Sequence, residues 1–277
     1  MHKKVAEMLN SNTHIYDAIA PFYDEFKSDD NYKKFYELVL PFIGMENISH
    51  PDLWEVGTGT GKFARYFARD GFKVFATDIS QKMIELACNC EPDLPIHYEV
   101  QDVTSQHPDK QFDVVVALDD VFNSLSSCEQ LRRAIRNIAA CLTPGGVLIA
   151  DLVGSRAFRD YLGVSSSRES ENYCFTLVPD GAFTRRSESP VSCRIIAKPH
   201  NDKLKTYEVV LSEYYYPHEE VASAASSAGL DLERYLLLKD GVLVESASIA
   251  DSDEVYKAIC VFRKRKEANH GEEREAG

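Results

Sequence analysis

Hydrophobic and polar positions change their period along this chain. Between residues 52 and 153, short apolar runs at 52–57, 73–78, 96–101, 112–118 and 147–153 have the length and composition of buried strands. Amphipathic stretches lie between them. One reaches Asp70 ahead of Gly71, one runs from Ser80 to Cys90, and one spans 128–142. In the last, Leu131, Ile135, Ile138 and Leu142 fall on one helical face, and Pro144-Gly145-Gly146 stops the helix. Strand and helix in alternation predict a parallel sheet with helices on both faces.

The flanks read differently. Residues 5–26 and 31–43 are predicted helices. In the second, Tyr32, Phe35, Tyr36, Val39 and Leu40 recur at helical spacing until Pro41 limits it. They form a cap ahead of the first strand. A short helix is expected at 155–163, with Ser165-Ser166-Ser167 a mobile loop. From 172 to 216 the chain reads as several strands with turns at Pro179-Asp180-Gly181, Ser189-Pro190 and Asn201-Asp202. This is an antiparallel insertion over the active-site edge. A helix at 218–228 ends at Gly229, and strands at 232–238 and 255–263 complete the sheet. The domain reading is 1–154 for cap and nucleotide-binding core, 155–217 for the insertion, and 218–277 for the rest of the core and a tail.

Charge and composition narrow the partners. The 277 residues carry 31 Lys and Arg against 44 Asp and Glu, a formal net charge of −13. A field of this sign repels phosphates, so nucleic acid is excluded as an expected partner. Its one basic cluster, Arg263-Lys264-Arg265-Lys266, is followed closely by Glu267, Glu272, Glu273 and Glu275. No apolar run approaches the ~20 residues of a membrane span, and the N-terminal residues have no secretory core. Seven cysteines at irregular spacings lack a matched zinc pattern and read as reduced thiols, so a cytoplasmic protein without a metal site is expected. Oligomeric state is left open, a homodimer included.

The chemistry concentrates at Glu55-Val56-Gly57-Thr58-Gly59-Thr60-Gly61-Lys62. Glycines at alternate positions let the backbone bend and a ligand approach, and the next helix presents free N–H groups there. The dinucleotide fingerprint G-x-G-x-x-G would place its third glycine where Lys62 stands, which disfavours a pyrophosphate site. The second strand ends in Asp78, where a carboxylate can accept both ribose hydroxyls.

These residues resemble the class I, Rossmann-like S-adenosylmethionine-dependent methyltransferases of small-molecule type. Gln101-Asp102-Val103 after the third strand, Gln111 to Leu118 as a fourth strand, and Leu142-Thr143-Pro144-Gly145-Gly146 before the fifth extend the match over roughly 50–153. Tyr16 to Asp24 resembles the cap of members that methylate sugar amines or glycine. The resemblance implies an α/β, doubly wound, seven-stranded and mostly parallel sheet, its last strand antiparallel, with the helical cap and the β insertion after strand five. It implies S-adenosyl-L-methionine as cofactor. Gly57, Thr58, Gly59 and Gly61 would approach its methionine part and Glu55 its ammonium end. Asp78 would take the ribose, Ile79 and Met83 would cover the adenine, Asp102 would accept the adenine amino group, and Val103 and Leu118 would pack nearby. Tyr23 would contact cofactor or acceptor.

After the fourth strand, Asp119 and Asp120 stand at the open end of the sheet. Asp119 is the expected base, Asp120 a helix cap, with Tyr23 and His14 as further catalytic candidates. Asn123, Arg156 and Tyr214 are expected to line the acceptor site. Together these imply a methyltransferase acting on a small acceptor, nitrogen favoured. The alternatives are an NAD(P)-dependent oxidoreductase, a non-catalytic binder, or a protein that uses the sulfonium for a reaction other than methylation.

Overall fold

The fold is that of a computed structural model which describes residues 12–27, 29–43, 49–160, 164–201, 203–249 and 254–266. The expected helical segment before residue 12, Tyr161 and the acidic tail lie outside the described residues.

Two sheets organise the chain. The first contains β1 (Asp52–Val56), β2 (Lys73–Asp78), β3 (Ile96–Val100), β4 (Phe112–Ala117) and β5 (Leu142–Val153). It is completed by the late strands β10 (Leu230–Lys239), β11 (Val242–Glu245) and β12 (Lys257–Lys264). Their order is β11-β10-β12-β5-β4-β1-β2-β3. Pairing is parallel among β3, β2, β1, β4 and β5, and antiparallel through β12, β10 and β11. The order reverses between β1 and β4, and that crevice is where doubly wound sheets bind ligands.

Alternation along the strands divides the core in two. Trp54, Val115 and Leu148 turn to the face covered by helices Cys128–Cys141 and His218–Ser227. Leu53, Val114, Val116 and Ile149 turn to the other, against Phe63 and Phe67 of the helix Lys62–Arg69 and Tyr32, Tyr36 and Val39 of the helix Asp29–Val39.

The second sheet is antiparallel, ordered β6 (Ser166–Glu169), β7 (Tyr173–Asp180), β8 (Ser189–Pro199), β9 (Tyr207–Tyr215). Its inner face carries Phe175, Leu177, Val191, Cys193, Ile195 and Ala197, all buried. It packs on the helices Asn12–Ile19 and Tyr23–Phe26, with the Phe22 ring 5.3 Å from Tyr207 and 5.8 Å from Phe175.

Four readings of the sequence need correction. The main sheet has eight strands rather than seven, because β10 and β11 form a hairpin whose two-residue loop is Asp240-Gly241, both at positive φ. Pro144-Gly145-Gly146 does not precede β5 but lies inside it, at a register irregularity against β4 with Gly145 at φ +84°. Ser166 and Ser167 pair with Leu177 and Thr176 instead of forming a loop. Ser189 and Pro190 sit in β8, opposite Tyr215 and Tyr214, and not in a turn.

Candidate functional site

The glycine turn is built by backbone bonds. Thr58 N–H donates to the Thr77 carbonyl at 2.9 Å, fastening the turn to the end of β2. Gly57 at φ +69° and Gly59 at φ +55° take conformations that L side chains rarely adopt, and a Cβ on Gly57 would meet Val121 at 2.7 Å. Asp78 closes the turn: one carboxylate oxygen accepts from Gly59 N–H at 2.8 Å and the other from Ser80 N–H at 2.9 Å. Burial pushes the Asp78 carboxyl up to about 6, against those backbone bonds, which pull it down.

A cleft opens above this turn at the β1–β4 crevice. It is lined by Gly57, Thr58, Gly59, Asp78, Ile79, Gln101, Asp102, Val103, Leu118 and Asp119, and roofed by Tyr16, Tyr23 and Tyr32 of the cap. Asp102 holds its own turn by accepting from the Thr104 N–H at 2.8 Å. The Gln101 Oε1 is buried without a partner among the described residues, so an acceptor stands in the cleft wall ready for a donor-bearing ligand.

The cap is tied to the turn. Thr60 Oγ1 donates to Asp24 at 2.6 Å, and the buried Lys62 Nζ donates to the Lys27 carbonyl at 2.6 Å. Ser80 Oγ donates to Asp17 at 2.5 Å on the other side.

Asp119 and Asp120 follow β4 at φ +68° and +71°, strained for residues with a Cβ. Tyr32 OH donates to Asp119 at 2.5 Å, Lys27 Nζ pairs with it at 3.1 Å, and Tyr23 OH lies 3.4 Å away. Burial alone would raise Asp119, but the Lys27 and Lys257 ammonium groups and the Tyr32 hydroxyl hold it down at about 2. Asp120 pairs with Lys257 at 2.5 Å, and its backbone N–H donates to the fully buried Asp151, which Lys257 also contacts. Burial would lower Lys257, but Asp120 and Asp151 hold it up and charged.

A second cavity, of about 500 Å³, adjoins the cleft and shares Tyr32, Phe63 and Asp119 with it. Lys27, Asp120 and Lys257 line it near the junction, and Leu177, Cys193, Ile195, Leu211 and Glu213 of the antiparallel sheet form its far wall.

The structure therefore brings together Tyr23, Gly57, Thr58, Gly59, Asp78, Ile79, Asp102, Val103, Leu118 and Asp119. The other expected residues stand elsewhere. Glu55 lies beneath the turn, accepting from Thr58 Oγ1 at 2.9 Å, and burial pushes it up to about 8. Gly61 caps the following helix, and a Cβ there would meet the Tyr98 hydroxyl at 2.5 Å, so it serves packing. Met83 is fully buried against the cap and does not reach the cleft. Asn123 is fully buried; it donates to the Tyr214 carbonyl at 2.9 Å and accepts from Val153 N–H at 3.0 Å, so both amide ends are used by backbone. Tyr214 packs against the core below, away from both cavities. Arg156 is exposed and pairs with Asp160 at 3.2 Å. His14 stands on the helix Asn12–Ile19, and its side chain lies outside the described residues. Asp119, the expected base, is paired with Lys27, which lowers its carboxyl. Sequence reasoning missed Lys27, Glu213 and Lys257. Their elements were legible, but the meeting of cap, insertion and last strand is tertiary.

Among the described residues no group of three or more His, Cys, Asp or Glu side chains is placed to hold a metal ion. Nor is any described helix long and apolar enough to cross a membrane.

Residues 54–150 match the model of a family described as a methyltransferase domain. The chain is 32% identical over 142 residues to a ubiquinone biosynthesis O-methyltransferase of Coxiella burnetii (strain RSA 331 / Henzerling II), covering 48% of this chain and 57% of that protein. It is 32% identical over 99 residues to the dTDP-4-amino-2,3,4,6-tetradeoxy-D-glucose N,N-dimethyltransferase of Saccharopolyspora spinosa, covering 36% and 39%. The chain spans little more than half the length of the curated relatives it matches. Among solved structures it is similar to an S-adenosylmethionine-dependent methyltransferase from Clostridium acetobutylicum ATCC 824, with TM-score 0.73 and 18% identity over 95% of this chain and 99% of that one. It is also similar to the sugar N-methyltransferase KedS8 from Streptoalloteichus sp ATCC 53650, with TM-score 0.65 and 17% identity over 93% and 95%. The likeness to the solved structures establishes the shared fold.

Proposed function

We propose that this chain, which carries a methyltransferase domain of the Rossmann-like class at residues 54–150, is an S-adenosylmethionine-dependent methyltransferase acting on a small-molecule acceptor, with nitrogen the favoured atom. One observation carries the reading. A ligand cleft at the sheet's switch point adjoins a separate cavity of about 500 Å³, and the two share Tyr32, Phe63 and Asp119. Two compartments with a common wall suit a reaction that passes one group from a donor to an acceptor.

The residues fit the cofactor. Gly57 and Gly59 leave room for close approach, Asp78 retains lone pairs for ribose hydroxyls, and Gln101 offers an unpartnered acceptor beside Asp102. Ile79 and Val103 give apolar cover for a flat base. When bound, the cofactor supplies a methyl group on a positively charged sulfur.

The protein's own task is alignment and exclusion of water. The cap, held by Asp24 to Thr60 and by Asp17 to Ser80, roofs the cleft. Asp119 is fixed by Lys27 and Tyr32 at the junction, so it orients and balances charge there instead of taking a proton. A cavity of about 500 Å³ favours a small acceptor, and the chain's charge of −13 disfavours nucleic acid. The N,N-dimethyltransferase and sugar N-methyltransferase among the similar proteins support nitrogen. An oxidoreductase is disfavoured because Lys62, in place of a third glycine, fills the dinucleotide position and binds the cap.

The test is incubation with methyl-labelled S-adenosylmethionine and a pool of amine-bearing metabolites. Label in a small molecule, with release of S-adenosylhomocysteine, is expected. Label only in protein or nucleic acid, or no turnover with any pool, contradicts the proposal.

A further inference from the structure

The inner face of the antiparallel sheet is mostly apolar; its charged members at the second cavity are Arg168, whose guanidinium lies over the Phe26 and Phe175 rings, and Glu213. Leu211 and Glu213 alternate along β9 and so share a face. Across β8 their partners are Cys193 and Val191, both buried. Leu177, Cys193, Ile195 and Leu211 line the second cavity together with Glu213. Among the described residues the Glu213 side chain has neither a hydrogen bond nor an ion pair. An ionised carboxylate in such surroundings is costly unless something compensates it.

The other acids near the junction are already engaged. Asp119 is held by Lys27 and Tyr32, and Asp120 and Asp151 by Lys257. We infer that Glu213 is the group that receives the acceptor's proton, and that the acceptor is accordingly a primary or secondary amine, cationic in water, on an apolar body that fits the Leu177–Ile195–Leu211 wall. This rests on the methyltransferase reading and names its acceptor class and base.

The charges facing Glu213 agree. Burial is the first influence and raises the carboxyl; Asp120 and Asp119 raise it further, while Lys27 and Lys257 lower it, leaving it at about 8. Tyr16 of the cap and Cys193 also interact with it electrostatically, and Glu213 lines the same cavity as Asp119, Lys27 and Lys257. On this proposal Glu213 is protonated in the empty cavity and gives its proton to solvent when an ammonium enters. The carboxylate then takes one N–H proton from the ammonium, leaving a neutral amine. The amine lone pair forms the new N–C bond as the cofactor's S–C bond breaks, the electron pair staying on sulfur. The methylated ammonium carries the positive charge away, and Glu213 is again protonated. A base of this kind contributes about 10²–10⁴ in rate.

The experiment uses calorimetry on the full chain loaded with S-adenosylhomocysteine at neutral pH. Benzylamine and benzyl alcohol are titrated into wild type, Glu213→Gln and Glu213→Asp, in two buffers of different ionisation enthalpy. Binding of S-adenosylhomocysteine is measured first and reports folding of each variant. Expected are proton release on benzylamine binding to wild type, a loss of at least about tenfold in amine affinity and of proton release in Glu213→Gln, partial recovery in Glu213→Asp, and equal alcohol binding throughout. Equal amine affinity in wild type and Glu213→Gln, amine binding without proton release, or no amine binding to wild type would overturn the inference while leaving cofactor binding intact. Failure of wild type to bind S-adenosylhomocysteine would instead take down the methyltransferase reading and the inference with it.

Discussion

Lys27 Nζ, at the end of the helical cap, lies 3.1 Å from Asp119 Oδ1, on the loop after the fourth strand of the main sheet. The pair joins a segment before the first strand to the junction of the two cavities. It also decides what Asp119 can do, since a carboxyl held at about 2 is a poor proton acceptor near neutral pH.

Lys27→Met removes that cation. Asp119 in wild type is held below its unfolded value, so it contributes stability that is present above about pH 4 and lost as pH falls towards about 2. The variant is expected to melt at a lower temperature than wild type at pH 7, with the difference shrinking as pH approaches 3. A constant difference across that range would detach Lys27 from Asp119.

Asp78→Ala is expected to leave the fold intact and weaken S-adenosylmethionine binding by about 1–3 kcal/mol, the cost of lost ribose bonds. Calorimetry and a thermal melt together check this. Unchanged affinity would remove Asp78 from the ribose role.

The same carboxyl sets a pH dependence. In the unliganded protein burial holds Asp78 at about 6, and ribose hydroxyls donate to its ionised form. Cofactor affinity should therefore be flat above about pH 6.5 and decline below about 6 as the carboxyl protonates. Stability of the unliganded chain runs the other way. Glu55 and Glu213 are held up at about 8 by burial, whereas in the unfolded chain they release protons near about 4.3. Between those values the folded state binds more protons, so the melting temperature should fall as pH rises from about 5 to about 8. A melting temperature that rises over this interval would contradict both assignments.

Asn123→Ala should act on stability and not on acceptor recognition. It strips partners from Val153 N–H and the Tyr214 carbonyl in the core. A loss of about 2–4 kcal/mol is expected from two such groups, with cofactor affinity of the folded fraction unchanged. Near-native stability with impaired turnover would return Asn123 to the acceptor site.

The parallel core was legible because each of its signals is local. An apolar run, a glycine turn and an acidic strand end specify β1, Gly57 to Gly59 and Asp78 without reference to the rest of the chain. The cleft followed from the rule that ligands sit beyond the strand ends. What was not legible depended on register and distant contact. Asp240-Gly241 is a hairpin signal that the sequence does offer, and it makes the eighth strand. Gly61 continues the glycine spacing of the cofactor turn, and only its tertiary neighbour Tyr98 sets it apart. Glu213 sits in a strand whose pattern gives no reason to single it out. Its meaning comes only from the apolar face around it and the cavity in front of it.

The most direct test of the central claim is titration of the full chain with S-adenosylmethionine, alongside NAD and NADP. Saturable one-to-one binding of S-adenosylmethionine, lost or weakened in Gly59→Val, is expected, with no binding of either dinucleotide. No heat at millimolar S-adenosylmethionine, or a dinucleotide bound in its place, would contradict the account.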